Sequence, residues 1–288
     1  MIVPFKVLTP TTVPEASAEL ERLGDAARIY AGGAELLLLM RQGLVEPDYL
    51  VNIKQVPNLH GIEWDGQVLR IGASVTHREL EYASMVHQHA PTLGEAERHI
   101  GNIRVRNQGT LGGNLCFADP HSDPGTALLV HDATVTVAGQ GAPRQLLLDD
   151  FFVSTYETAL DPTELLTEVQ VPQLSAGWGW SFERIERFYR PTVNAAAAIR
   201  TDDGHIGEAR LAVGCVGPRA LRLRDLEQKL KGIPLGEASR VIADSESYLN
   251  DQLEPVGDLL GAADYKIHVT SVLLGRAVEH ALARTGTR

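Results

Sequence analysis

The chain has 288 residues, 44% of them hydrophobic and 22% charged. These are values of a globular protein and exclude a disordered or collagen-like chain. At about 150 residues per domain the length points to two domains, and a chain of this size buries roughly 70% of its unfolded surface without a disulfide or metal staple. The formal net charge of −11, with no Lys/Arg-rich run, argues against nucleic-acid binding, which needs clustered cations.

The two cysteines, Cys116 and Cys215, are too few for a disulfide framework, a structural zinc site or a protein-ligated iron–sulfur cluster. Such sparse usage fits a reducing compartment, the cytoplasm. The opening MIVPFKVLTP has neither the charged nor the apolar region of a signal peptide. The longest apolar run, Leu36 to Met40, is far too short to span a bilayer.

In chain order, Phe5 to Leu8 reads as a strand. Thr11 or Thr12 caps a helix with Pro14 in its first turn, ended by Gly24. Arg28 to Tyr30 is a short strand running into Ala31-Gly32-Gly33, then the helical run ELLLLMRQG, then a strand from Tyr49 to Ile53. This rhythm predicts a small parallel α/β unit. Asp65-Gly66 predicts a hairpin with a type I′ turn. Thr76-His77-Arg78-Glu79 reads as a capping box, and a helix covers Thr92 to His99. Glycines crowd 101–113, followed by the loop ADPHSDPG, a helix TALLVHDA, strands around ATVTVAG and QLLLDDFF, and a strand from Glu168 to Val171. A boundary falls at Gln173 to Gly179. Beyond it, strands are expected near Trp180 to Ile185, Val193 to Arg200 and Ile206 to Val216, although the alanine run inside the middle one favours helix. Helical patterns follow at Leu221 to Leu230, Gly236 to Tyr248 and Tyr265 to Arg284.

Two glycine motifs carry the chemistry. In Tyr30-Ala31-Gly32-Gly33-Ala34-Glu35-Leu36 a strand ends in two glycines and a helix starts at once. Its backbone can approach a ligand closely, and the free N–H groups at the helix start favour an anion. It is neither a GxGxxG fingerprint nor a P-loop. Alone it is equally a plain tight turn. The second motif is Asn107-Gln108-Gly109-Thr110-Leu111-Gly112-Gly113-Asn114, continuing through Asp123. Its small residues, hydroxyl and amide suit a diphosphate or polyol, or else a glycine-rich turn with Asn114 satisfying its own backbone. Together they point to a bipartite nucleotide site.

AGGAELL followed by GTLGGNLCFADPHSD resembles the FAD-binding medium subunit of molybdenum hydroxylases, the family of carbon monoxide dehydrogenase and xanthine dehydrogenase. The resemblance covers nearly the whole chain. It implies a fold of class α+β: a PCMH or vanillyl-alcohol-oxidase type FAD-binding domain over 1–174, with α/β subdomains of about 1–55 and 56–174. A domain over 178–288 with a three-stranded antiparallel sheet and helices follows. It implies that Ala31, Gly32, Gly33, Ala34, Glu35 and Leu36, with Tyr30, line the FAD diphosphate and ribityl chain. Gly109, Thr110, Gly112, Gly113 and Asn114 form the second wall. Leu115 and Cys116 lie near the flavin or ribityl chain, Asp123 bonds the ribityl hydroxyls, and Arg28 faces the adenine end. One stretch departs from the family. Where relatives carry Gly-Asp-Tyr or similar residues that reach the isoalloxazine, this chain has Arg190-Pro191-Thr192-Val193-Asn194. Phe188 or Tyr189 is the substitute to look for.

The resemblance further implies an electron-transfer subunit. A large partner holds the molybdopterin, a small partner holds two [2Fe–2S] clusters, and the assembly is a dimer of heterotrimers. The rival readings are a self-contained flavoenzyme of the same superfold and a flavin-free scaffold. The remaining features read more plainly. His87 and His89 form a solvated helix end, and His121 is a loop residue near the ribityl chain or at the surface. Glu35 suits a helix first turn. Trp178 and Trp180 pack between domains or on a partner. The Arg/Glu alternation from Glu183 to Arg190 is a solvated strand face, with Arg184 and Arg187 the two that can also face a cofactor. No Ser-His-Asp set or paired-carboxylate spacing stands out, as expected where a cofactor carries the chemistry.

Overall fold

The computed structural model describes residues 2–187 and 190–286. The first unit is β1 (Lys6–Leu8), α1 (Val13–Leu23), β2 (Ala27–Tyr30), α2 (Ala34–Gln42) and β3 (Tyr49–Asn52), with the strands parallel in the order β1-β3-β2. Thr12 caps α1 by accepting from the Glu15 N–H, and Gly24 closes it. The predicted parallel unit is therefore present element for element.

The second unit opens with β4 (Ile62–Trp64) and β5 (Val68–Gly72). Their register pairs Trp64 with Leu69, so the turn centres on Gly66 and Gln67 rather than on Asp65-Gly66. Only Gly66, at φ +100°, has a positive φ there. That is the pattern of a type II′ turn, not the expected I′, which needs two such residues. Helices α3 (His77–Tyr82), α4 (Ser84–His89), α5 (Pro91–Glu97), α6 (Ile103–Gln108), α7 (Leu111–Phe117) and α8 (Asp123–Leu129) follow. The capping box at Thr76 and Glu79 is present. The glycine-dense stretch is mostly helical, because Asn102 and Thr110 cap α6 and α7, and the loop expected over ADPHSDPG gives way to α8 at Asp123. Then come β6 (Thr134–Ala138), β7 (Arg144–Leu147), α9 (Leu148–Phe151), β8 (Phe152–Ser154), β9 (Glu157–Thr158) and β10 (Leu165–Pro172). QLLLDDFF is thus strand only in its first half. The sheet order is β4-β5-β10-β6-β7, all antiparallel, with β8 and β9 paired apart.

The third unit has β11 (Trp178–Arg187), β12 (Arg190–Asp202), β13 (His205–Gly214) and β14 (Leu221–Arg222) in that spatial order, all antiparallel. Three long strands make the sheet, and β14 adds two residues at its edge. Helices α10 (Arg224–Leu230), α11 (Ala238–Ala243), α12 (Glu246–Leu253) and α13 (Ala263–Arg284) complete it. Leu221 and Arg222 are therefore strand, and the run from Gly236 breaks at Asp244 and Ser245.

The alanine run is strand because both its faces are buried. Val193, Ala195, Ala197 and Ile199 enter the core under α10–α13. Ala196 and Ala198 enter the core shared with β5, β10, α5 and α8. A central strand covered on both faces needs small side chains more than it needs intrinsic propensity. Asn194, Ala196 and Ala198 of β12 thus face the first two units, and a register shift between Ile185 and Glu186 of β11 interrupts the alternation before Arg190. No helix among the described residues is long and apolar enough to cross a membrane.

His131 is buried at the end of α8, with Nε2 at 2.8 Å from the Thr92 hydroxyl and Nδ1 at 3.1 Å from the Pro172 carbonyl. Burial holds its imidazole down to about 4. The unfolded chain takes up this proton near pH ~6.5 while the folded chain refuses it. Stability is therefore fully present above about pH 6.5 and falls as pH drops toward about 4, by on the order of 3 kcal/mol from this group. Urea midpoints measured across that window will fall for the wild type and fall less for His131→Gln.

Candidate functional site: two nested glycine motifs

The first motif starts where β2 ends. Gly33 adopts φ +77° and offers no side-chain cap to α2. A Cβ at Gly33 would run into the Tyr30 ring, so the strand's last side chain itself demands glycine. The first bond of α2 runs from the Leu37 N–H to the Gly33 carbonyl at 3.1 Å. Among the described residues this leaves the amides of Ala34, Glu35 and Leu36 without a protein acceptor. Side chains cap α1, α3, α6 and α7, so this open N-terminus differs from theirs and favours an anion. Beside it, Lys54 Nζ lies 3.0 Å from the Tyr30 hydroxyl and 4.2 Å from its ring centre. Lys54 escaped the sequence reading because only the β2–β3 register brings it to Tyr30.

The second motif meets the first directly. A Cβ on Gly32 would collide with the Gln108 carbonyl oxygen and lie 2.8 Å from the Gly109 Cα. Two backbones are therefore packed against each other with no side chain between them. Thr110 caps α7 by accepting from the Gly113 N–H at 3.1 Å. The Leu111 and Gly112 amides donate to the Val75 and Ala73 carbonyls at 3.0 and 2.9 Å. The amides opening α7 are thus spent within the protein, and the second motif contributes a wall rather than a row of free donors. Gly112 is packed on Ala73, where a Cβ would sit 2.6 Å from the Ala73 Cβ, while Gly113 is exposed. Asn114 accepts from Ser122 through Oδ1 at 2.6 Å, which leaves its amide NH2 to donate.

Several expected positions fall elsewhere. Leu115 is 0% exposed and belongs to the core, since α7 turns that face inward. Cys116 is partly buried, and burial pushes its thiol up to about 12, so it is chemically inert. Cys215 is core. Arg28 donates to the Asp25 and Ala27 carbonyls at 3.0 and 2.7 Å, back toward the start of β2 and away from the glycines. Asp123 is an internal brace. Its Oδ1 accepts from Asn194 at 2.8 Å, and its Oδ2 lies 3.1 Å from Arg184. It is 3% exposed. Burial pushes its carboxyl up, against the pull of Arg184 and Asn194.

Along the alternation from Glu183, Glu186, Arg187 and Arg190 are exposed as expected, and Arg184 is the exception. Arg184 is buried at the junction of the units and also donates to the His99 carbonyl at 2.9 Å. His89 is buried with its ring stacked on Trp64 at 3.8 Å, and His87 bonds the Glu81 carbonyl at 2.8 Å. Neither forms a solvated helix end. Among the described residues no group of three His, Cys, Asp or Glu side chains is arranged for a metal ion. Trp178 packs between the units, under Arg210 at 4.7 Å. Trp180 carries Arg284 at 4.1 Å.

The departing stretch reaches the same cleft. Arg190 pairs with Asp119 at 2.6 Å, and His121 joins Asp119 to Asp258, its Nε2 lying 2.9 Å from Asp258. Burial works against the Asp119 charge, but the His121 bonds and Arg190 hold it below the usual carboxylate range. Glu35 is pushed up by burial and by Asp119, with Arg190 opposing. Phe188 and Tyr189 lie outside the described residues.

Substituting Gly32→Ala must push the two motifs apart, an overpacking cost of about 1–3 kcal/mol. We expect at least a tenfold loss of affinity for FAD and for ADP, read by fluorescence titration and calorimetry, with a folded chain.

A family described as the FAD binding domain in molybdopterin dehydrogenase matches residues 3–174, and the CO dehydrogenase flavoprotein C-terminal domain matches residues 190–281. The carbon monoxide dehydrogenase medium chain of Hydrogenophaga pseudoflava is 33% identical, over 97% of this chain and 98% of its own. The nicotine 6-hydroxylase medium subunit of Paenarthrobacter nicotinovorans is 32% identical, over 98% of each. A solved structure of the Hydrogenophaga pseudoflava carbon monoxide dehydrogenase superposes with a TM-score of 0.95 at 32% identity, covering 99% of this chain and 100% of that one. Nested glycine motifs, an open helix N-terminus and a match along almost the whole length place the chain in one family: it belongs to the FAD-binding medium subunits of the molybdenum hydroxylases and is an oxidoreductase subunit.

Proposed function

We propose that this chain carries FAD between iron–sulfur clusters on a small partner subunit and an external electron acceptor. A large molybdopterin-binding subunit hydroxylates the substrate, in a cytoplasmic dimer of heterotrimers. The observation that carries the reading is the contact of Gly32 with Gln108 and Gly109 beside the open N-terminus of α2. It makes one cradle of two motifs far apart in sequence. Two cysteines, one of them buried and the other partly so, leave the clusters to a partner.

When bound, FAD supplies the electron transfer, and the protein supplies binding, orientation and electrostatics. The amides of Ala34, Glu35 and Leu36 would hold the diphosphate, with the Lys54 ammonium adding positive charge beside them. Gly109, Thr110, Gly113 and the Asn114 amide would form the facing wall. Asp123 would act from behind, fixing the end of this wall to Asn194 of β12. The division into an FAD-binding domain over 1–174 and a second domain over 178–288 belongs to the same reading.

The test is to co-express the chain with its molybdopterin and iron–sulfur partners and analyse the purified complex. We expect flavin, molybdenum and iron to co-elute, and an oxidised-flavin spectrum that substrate bleaches. A complex that turns over with molybdenum and iron but retains no flavin would contradict the reading.

A further inference from the structure

Behind the second glycine motif lies a buried acid–imidazole pair that the reading above does not use. His77 opens α3 and is 2% exposed; Glu97 ends α5 and is 0% exposed. His77 Nδ1 meets Glu97 Oε2 at 2.8 Å, a hydrogen bond in the interior. The second oxygen of Glu97, Oε1, has no hydrogen-bond partner among the described residues. A buried carboxylate with acceptors unspent is costly and asks for a reason.

The reason lies one residue away, at Gly109. The Cδ2–Nε2 edge of His77 lies against it, since a Cβ on Gly109 would sit 3.0 Å from Cδ2 and 3.5 Å from Nε2. The His77 backbone N–H donates to the Gly109 carbonyl at 3.0 Å. The neighbouring pair, Thr76 and Thr110, forms an isolated bridge. His77 thus grips Gly109 with both ring and backbone, while Gly32 meets the same residue at its Cα.

We propose that the His77–Glu97 pair positions the second glycine motif for the diphosphate of the cofactor. This rests on the reading that the two motifs hold FAD. Glu97 fixes the imidazole through Nδ1, and the fixed ring in turn holds Gly109. Gly109 is also held from α6, where its N–H donates to the Val105 carbonyl at 2.7 Å, so the ring and this bond together set the glycine's position.

The test uses the full chain with FAD and with ADP, which has the diphosphate but no flavin ring. The double replacement His77→Leu/Glu97→Leu removes both charges at once, sparing the fold a lone buried carboxylate. We expect it to melt near the wild type and to bind both ligands about tenfold more weakly, because the ring no longer holds Gly109. Glu97→Gln, isosteric with the native side chain and able to keep the bond to the ring through its amide oxygen, should bind both ligands like the wild type. His77→Gln serves if the double variant does not fold and should weaken both ligands alike. A folded double variant with wild-type affinity overturns the proposal. So does one that weakens FAD and leaves ADP untouched. A wild-type chain that binds neither ligand defeats the cofactor reading, and the proposal with it.

Discussion

Between Gly32 and the Gln108–Gly109 peptide there is no room for a side chain, and the rest of the site depends on that contact. It brings the N-terminus of α2, from a parallel three-stranded unit, against the loop before α7, from an antiparallel five-stranded one. Each side prepares its part in advance. Tyr30 occupies the space a Gly33 side chain would take, and Ala73 does the same for Gly112. The amides opening α7 are satisfied internally, whereas those opening α2 are not. The asymmetry gives the two motifs different work: one offers donors to an anion, and the other supplies a rigid wall.

The third unit holds this cradle from behind. β12 presents alternate residues to two cores, and on its inner face Asn194 reaches Asp123, Thr126 and the Ser122 carbonyl. Arg184 of β11 completes the brace. Removing one charge of such a buried pair leaves the other unpaired, which costs more than the pair itself contributes. The junction between the units is therefore tied to the loop that carries the second motif. Arg190 of β12 pairs with Asp119 at the mouth of the cleft.

Much of this was legible in the residues. Capping side chains at Thr12 and Thr76, the period of β1 to β3 and the paired glycines each follow from local chemistry, and they appear where the sequence puts them. What was not legible depends on distant partners. The strand expected over Val193 to Arg200 forms against the helix propensity of Ala195 to Ala198, and the two cores pressing on the run decide it. Arg184 reads as part of a solvated face until Asp123 takes it, while Glu186 beside it is exposed as expected. Leu115 and Asp123 were expected at the cofactor through a motif, but a motif does not say which face of a short helix turns inward. Lys54 carries no motif, and His77 stands in one only as an interior residue of the Thr76–Glu79 capping box. They join the site only through β-strand register and a helix packed behind Gly109.

The central claim is that two motifs, eighty residues apart, form one binding surface. Hydrogen–deuterium exchange of the chain with and without FAD tests it most directly. The account predicts that FAD slows exchange at residues 33–37 and 109–119 together, at one ligand concentration, with the Ala34, Glu35 and Leu36 amides changing most. Protection confined to one of the two segments would contradict it.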